Sequence, residues 1–388
     1  MSAIREAGSQ VLEPGGISAA KALIPPDPTP EQKRGMRNTI LGQAFGALGQ
    51  IAFANGLVLL YLTQQEFSGA AIMFFLSLPS LAMTVCLIPA AFIADRSGLK
   101  RIIVPGAFLS CIGFALLPLS GLTENRVALT ALISAGTVLF AVGIALFSSG
   151  WYALLQPLVP PHYRGRYFGV MRVTWQTTGF FFGVLCTFVL SKNSPTVIFQ
   201  MIFAFVVVGM FTRVIYMSRV PELEKPEATG ESLSEALLGI VRVPGYASFC
   251  CYVFLITLST ANAPNLFALI AKDALHYGDQ TIVWMGNALM IGAVLGFWLG
   301  GKAVDRLGTK IVFLLAHFVF GLVLLGFLLR IALPEVAVPF WLGVLNFIFG
   351  LVSAASSIAI STEMMALIPQ RNKSLSTGLL QTLQVAGA

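Results

Sequence analysis

The 388-residue chain is poor in charge: Asp, Glu, Lys and Arg together make up 11% of it, where a soluble globular domain carries about 25%. That shortage leaves too little polar surface for a dissolved protein and excludes a soluble enzyme. A disordered chain is excluded as well, because 56% of the residues are hydrophobic and disorder goes with low hydrophobicity. Histidine is scarce, at three residues, and the five cysteines (Cys86, Cys111, Cys186, Cys250 and Cys251) lie in or beside apolar runs. They show neither metal-ligand spacing with histidine nor a secreted disulfide framework, so no metal or cofactor is expected. The N-terminal stretch lacks the basic start and adjoining apolar core of a cleaved signal peptide. The net charge of +7 does not point to nucleic acid, because the basic residues sit singly or in short groups between apolar runs.

What the chain does have is apolar length. Runs at about 38–64, 68–93, 102–122, 127–156, 167–190 and 196–218 precede a polar stretch at 219–245. They resume at 246–271, 280–302, 310–332 and 338–366, and an eleventh begins near 375. Each complete run supplies the ~20 residues a helix needs to cross about 30 Å of hydrocarbon. None alternates in polarity as barrel strands do. The 30 Phe and 37 Gly also suit closely packed membrane helices. The expected fold is therefore an all-α polytopic bundle in a lipid bilayer. Residues 1–35, interrupted by Pro25, Pro26, Pro28 and Pro30, read as a disordered cytoplasmic tail. Two units follow, at 36–218 and 246–388, joined by a cytoplasmic linker at 219–245. With the N-terminus inside, 20 of the 24 Lys and Arg fall on the cytoplasmic side; Arg126, Lys192, Lys272 and Arg330 remain outside. A multi-pass protein of the cell membrane, or bacterial inner membrane, with a cytoplasmic N-terminus follows.

The two units repeat each other. Ala94-Asp95-Arg96-Ser97-Gly98 recurs 210 residues later as Val304-Asp305-Arg306-Leu307-Gly308, and Asn55 and Asn265 share that offset. Pro160 and Pro369, each ahead of a basic loop, are 209 apart, as are Gly169 and Gly378. Two like-oriented six-helix halves are a known transporter plan. At these residues the chain resembles the major facilitator superfamily, whose signature between helices 2 and 3 reads approximately G-x-x-x-D-R-x-G-x-K/R. Here Ala91, Asp95, Arg96, Gly98, Lys100 and Arg101 stand in the first copy, and Gly301, Asp305, Arg306, Gly308 and Lys310 in the second. Ala91 replaces the usual glycine and should loosen a close helix contact. The resemblance covers about residues 37–388.

The signature loops place fixed charge at one mouth of the bundle. A carboxylate there can pair with Arg and face a neighbouring helix N-terminus, whose partial positive charge favours it. In the family this latch is thought to gate the cytoplasmic side. Glu363 is the one acid clearly within a complete run away from those loops, and buried charges need partners. The resemblance makes Arg306 its candidate partner, while the first half has Leu154 at the equivalent place.

No acid sits at mid-depth, helix 5 lacks the family's antiporter Gly-Pro pair, and helix 4 has no internal arginine; all three weigh against a proton-driven drug exporter. The family's cavity helices offer Gln50 and Asn55 on helix 1, Trp175 and Gln176 on helix 5, and Thr257 and Asn265 on helix 7, beside Pro264. Helix 10 adds Asn346, Ser353, Ser357 and Ser361, and helix 11 adds Gln381. His317 should pack against or bond a neighbour, and Arg172 and Arg213 should snorkel towards the cytoplasmic end, so that neither is expected to be a central anion clamp. The expected function is transport of a small neutral solute, sugar-like in character, by a monomer working through alternating access. The alternative is a non-transporting relative serving assembly or sensing, which predicts a cavity plugged by bulky apolar residues. No cluster of acids, histidines or a nucleophile marks an enzyme. The repeat also places the end of a twelfth helix about 40 residues beyond Ala388. An eleventh helix of ~14 residues reaches only about 21 Å, so the chain is expected to be C-terminally incomplete.

Overall fold

A computed structural model describes residues 27–54, 56–190, 194–224, 230–277, 279–369 and 371–387, and no strand occurs among them. The first half comprises α1 (Pro30–Ala54), α2 (Leu57–Gln64), α3 (Gly69–Ser97), α4 (Leu99–Ser120), α5 (Arg126–Ser149), α6 (Trp151–Leu158), α7 (Arg164–Val189) and α8 (Thr196–Ser218). The linker holds α9 (Leu233–Val241), started by a Ser232–Glu235 capping box. The second half comprises α10 (Tyr246–Thr260), α11 (Ala263–Leu269), α12 (Asp279–Leu307), α13 (Thr309–Leu329), α14 (Val338–Leu367) and α15 (Lys373–Gly387). Among the described residues, seven spans are long and apolar enough to cross a bilayer, and two bent pairs, α1–α2 and α9–α10, raise the number to nine if each is one span. The fifth and eleventh runs are filled by α7 and α15.

The repeat is visible in the helix ends. α3 and α12 both have 29 residues and begin and end 210 positions apart; α4 and α13 begin 210 apart. Some runs break where the chain demands it. Gly56 adopts φ 77° between α1 and α2, a left-handed turn that a Cβ disfavours. The seventh run breaks ahead of Pro264, which lies at the start of α11.

The tail boundary differs from expectation. α1 begins at Pro30, so residues 30–35 are helical. The cause is local: Thr29 Oγ1 accepts from the Gln32 N–H at 3.2 Å, and Gln32 Oε1 accepts from the Thr29 N–H at 3.0 Å. That reciprocal cap sits next to a proline at the first helical position, where its missing N–H costs nothing. Residues 1–26 lie outside the described residues.

Glycine seams hold each half together. A Cβ on Gly113 would lie 2.2 Å from the Phe140 nitrogen, and one on Gly143 2.3 Å from the Ser110 nitrogen, so α4 and α5 meet backbone to backbone. In the second half the seam joins α12 to α14: Cβ atoms on Gly292 and Gly296 would fall 2.0 Å and 2.1 Å from the Phe347 and Leu351 carbonyl oxygens. Lipid offers no hydrophobic drive between helices, so such close packing carries their association. Outward faces are apolar, as with Leu314, Phe318, Leu322 and Leu325 along α13.

Candidate functional site

Asp95 ends α3 with its carboxylate against the start of α15. Oδ1 accepts from the Ser374 N–H at 2.7 Å and Oδ2 from the Leu375 N–H at 2.9 Å. Asp305, at the matching place on α12, does the same to α7: Oδ1 accepts from the Gly165 N–H at 2.8 Å and Oδ2 from the Arg166 N–H at 2.9 Å. Each half therefore caps a helix of the other. The first-turn N–H groups have no partner within their own helix, and the helix dipole favours a negative charge there. Arg166 adds an ion pair to Asp305 at 3.6 Å, although its own side chain is 60% exposed.

Glycines bring the elements this close. Gly98 and Gly308 follow the two aspartates with φ 108° and 81°, conformations that admit little but glycine. A Cβ on Gly165 would lie 2.4 Å from the Gly301 oxygen. In the other seam Ala91 is fully buried, and a Cβ on Gly378 would lie 3.0 Å from the Ala91 Cβ. Ala91 thus fits because glycine faces it.

The linker ties itself to both halves. Glu222 Oε1 accepts from the Leu99 N–H at 2.8 Å, and Lys100 Nζ donates to the Ser218 carbonyl at 2.8 Å. Arg96 lies over the Phe92 ring at 3.4 Å and donates to the Glu231 carbonyl at 2.5 Å, so its hydrogen bond across the sequence goes to the linker, while its charge still acts on the neighbouring Asp95. Glu231 Oε2 accepts from Asn372 at 3.2 Å, and Lys373 pairs with Glu224.

One expected partnership is absent. Glu363 accepts from the Thr309 hydroxyl at 2.5 Å, and among the described residues it makes no ion pair with Arg306. Thr309 opens α13, whereas Arg306 lies before the Gly308 turn that redirects the chain. Arg101, Arg306 and Lys310 have no hydrogen bond or ion pair among the described residues.

A cavity of about 330 Å³ is lined by α1, α3, α5, α6 and α7 of the first half, with Gln381 of α15 as its lining residue from the second half. Of the candidate residues, Gln50, Trp175 and Gln381 line it. Gln176, Thr257, Asn346, Ser353 and Ser357 do not: Asn346 donates to the Leu342 carbonyl of its own helix, and the Ser353 hydroxyl is buried without a partner. Asn55 and the Asn265 side chain lie outside the described residues. The rest of the lining includes Gln43, Phe147, Trp151, Tyr152, Met171 and Arg172.

The sequence model of the Major Facilitator Superfamily matches residues 39–388. The chain belongs to that family. A curated relative, the multidrug resistance protein MdtH of Blochmanniella pennsylvanica, is 29% identical over 164 residues, which span 42% of this chain and 37% of that protein. Solved structures with the same fold include a bacterial homologue of the iron transporter ferroportin in an outward-facing state, at TM-score 0.74 and 13% identity, covering 91% of this chain and 89% of that one. The E. coli fucose:proton symporter follows at TM-score 0.69 and 16% identity, with coverage of 91% and 89%. The human organic anion transporter MFSD10 reaches 0.69 at 12% identity, with 92% of both chains covered.

Two arginines of this superfamily member lie elsewhere than expected. Arg172 lines the cavity, eight residues into α7, or about 12 Å along the helix. The basic loop Arg164–Arg166 is already the first turn of α7, so counting from its end underestimates the depth. Arg213 does not snorkel; it is 1% exposed. Its Nε donates to the Gly42 carbonyl at 3.4 Å and its Nη2 to Gln43 Oε1 at 3.0 Å. The signal for its burial is the small-residue stripe Gly42, Gly46 and Gly49 on α1: a Cβ on Gly46 would lie 1.7 Å from the Arg213 Nε. His317 bonds its own helix at the Phe313 carbonyl, 2.6 Å away.

Proposed function

We propose that this protein is a monomeric secondary carrier that moves a small solute across the cell membrane by alternating access, with its latched end facing the cytoplasm. The observation that carries this reading is the cavity itself. It is lined by amides and aromatic rings of the first half together with Gln381 of the second, and the two carboxylate latches join the halves. A member that only assembles or senses would have this space filled by bulky apolar side chains, whereas about 330 Å³ stays open here. That volume falls in the range of small-molecule pockets, about 300–1,000 Å³. The Lys and Arg bias supports the orientation. A neutral solute presupposed an uncharged centre, and Arg172 in the lining removes that premise.

The test is uptake into proteoliposomes made with the full chain. Solute accumulation or counterflow that collapses on Asp95→Asn supports the reading. Intact, folded protein that exchanges no solute across a broad panel of sugars, acids, amines and drugs refutes it.

A further inference from the structure

The cavity carries a charge that no described residue answers. Arg172 lines it and, among the described residues, has no hydrogen bond or ion pair. The lining contains no Asp or Glu. Directly behind stands the second arginine: Arg213 places its guanidinium 4.5 Å over the ring of Phe147, and holds the side-chain oxygen of Gln43. Both of those residues line the cavity. The Arg213 Nη1 is buried with no partner. Arg172, half-buried and without an acidic partner among the described residues, marks a site that can acquire its partner from elsewhere.

The neutral groups point the same way. Gln43 Oε1 is occupied by Arg213, which leaves its two N–H bonds for the cavity. Trp151 and Trp175 bring indole N–H donors and flat apolar faces, and Tyr152 adds a ring and a hydroxyl. Donors, planar surfaces and one free guanidinium form a consistent set. A guanidinium fork matches a carboxylate with two parallel hydrogen bonds. The volume of about 330 Å³ suits a small solute.

We propose that the solute is a small organic monoanion, a carboxylate on a planar ring, with Arg172 as the group that selects its charge. This rests on the carrier reading above and narrows it to a substrate class.

The probes are benzoate, its neutral amide benzamide and its cationic counterpart benzylamine, added to the detergent-solubilised full chain. Binding is read by quenching of tryptophan fluorescence and by thermal shift. Benzoate should bind about tenfold or more tightly than benzamide, the scale of one hydrogen-bonded charge, and benzylamine should not bind. Arg172→Gln should bring benzoate and benzamide to equal affinity, while Arg172→Lys should keep the preference for benzoate. Gln43→Leu, a second variant, should weaken benzoate with less effect on benzamide. Equal binding of benzoate and benzamide by the unaltered chain, no benzoate binding at all, or a preference that survives Arg172→Gln overturns the proposal. Radiolabelled uptake separates the two readings. Arg172-dependent benzoate binding without uptake into proteoliposomes sinks the carrier reading alone. Uptake of a neutral sugar that ignores Arg172→Gln keeps the carrier and sinks the anion.

Discussion

Asp95→Asn is the sharpest perturbation of the latch. The carboxylate holds two N–H groups of the opposite half at 2.7 and 2.9 Å. The amide is isosteric, but it keeps one acceptor oxygen and turns an NH2 group towards an N–H donor. A hydrogen bond to a charged group contributes about 1.5–3 kcal/mol, and a charge at a helix N-terminus adds roughly 0.3–1 kcal/mol. Hydration of the carboxylate returns part of this when the halves separate. The latched state should therefore lose about 2–3 kcal/mol relative to the open one, a shift of roughly 30- to 140-fold in their ratio. Spin labels at Arg101 and Leu307, both exposed and on opposite halves, report the separation once the native cysteines are replaced. The variant should populate a longer distance that is minor in the parent chain, and turnover in proteoliposomes should fall sharply. A folded variant with an unchanged distance distribution would refute the latch as a determinant of the closed state.

Three further outcomes follow from the geometry. Gly113→Ala forces a Cβ within 2.2 Å of the Phe140 nitrogen and should cost about 1–3 kcal/mol or more, lowering the melting temperature, while Gly321→Ala, where a Cβ meets nothing, should leave it unchanged. Glu363→Gln and Thr309→Val should be non-additive in a thermal-stability cycle because the two side chains share a hydrogen bond; Glu363→Gln and Arg306→Ala should add. Gly308→Ala, at φ 81°, should cost about 1–2 kcal/mol, measurable as a lower melting temperature and weaker transport.

The repeat spacing made the equivalence of α3 and α12 readable from the chain, because the same turn chemistry recurs around Asp95-Arg96 and Asp305-Arg306; the apolar runs stopped four and five residues short of the helix ends, since the charged last turns are still helical. That each aspartate would face a helix N-terminus was also legible, since a carboxylate beside a glycine turn has few other stable partners. Which helix it faces was not. The pairing of α3 with α15, and of α12 with α7, depends on how two separate bundles dock, and no local pattern encodes that. Arg96 and Glu363 went astray for the same reason: their partners, the Glu231 carbonyl and Thr309, are set by the linker path and by the turn at Gly308. In the cavity, residue type alone did not separate Gln50, Trp175 and Gln381, which line it, from Gln176, Thr257, Asn346, Ser353 and Ser357, which do not. Depth was the weaker inference, and it moved Arg172 from the rim to the lining.

The exchange of caps between halves also bears on how the halves part during a transport cycle. The two latches stand on different seams, and they are unequal: Asp305 has the additional Arg166 pair, and its seam is glycine on glycine, whereas the Asp95 seam carries the Ala91 methyl. The α3–α15 side is fastened in another way, through the linker, by Glu231 to Arg96 and Asn372 and by Glu224 to Lys373. The internal twofold repeat then describes how the protein is built, while the means of release differ between its two seams: one must shed the linker, the other an exposed ion pair.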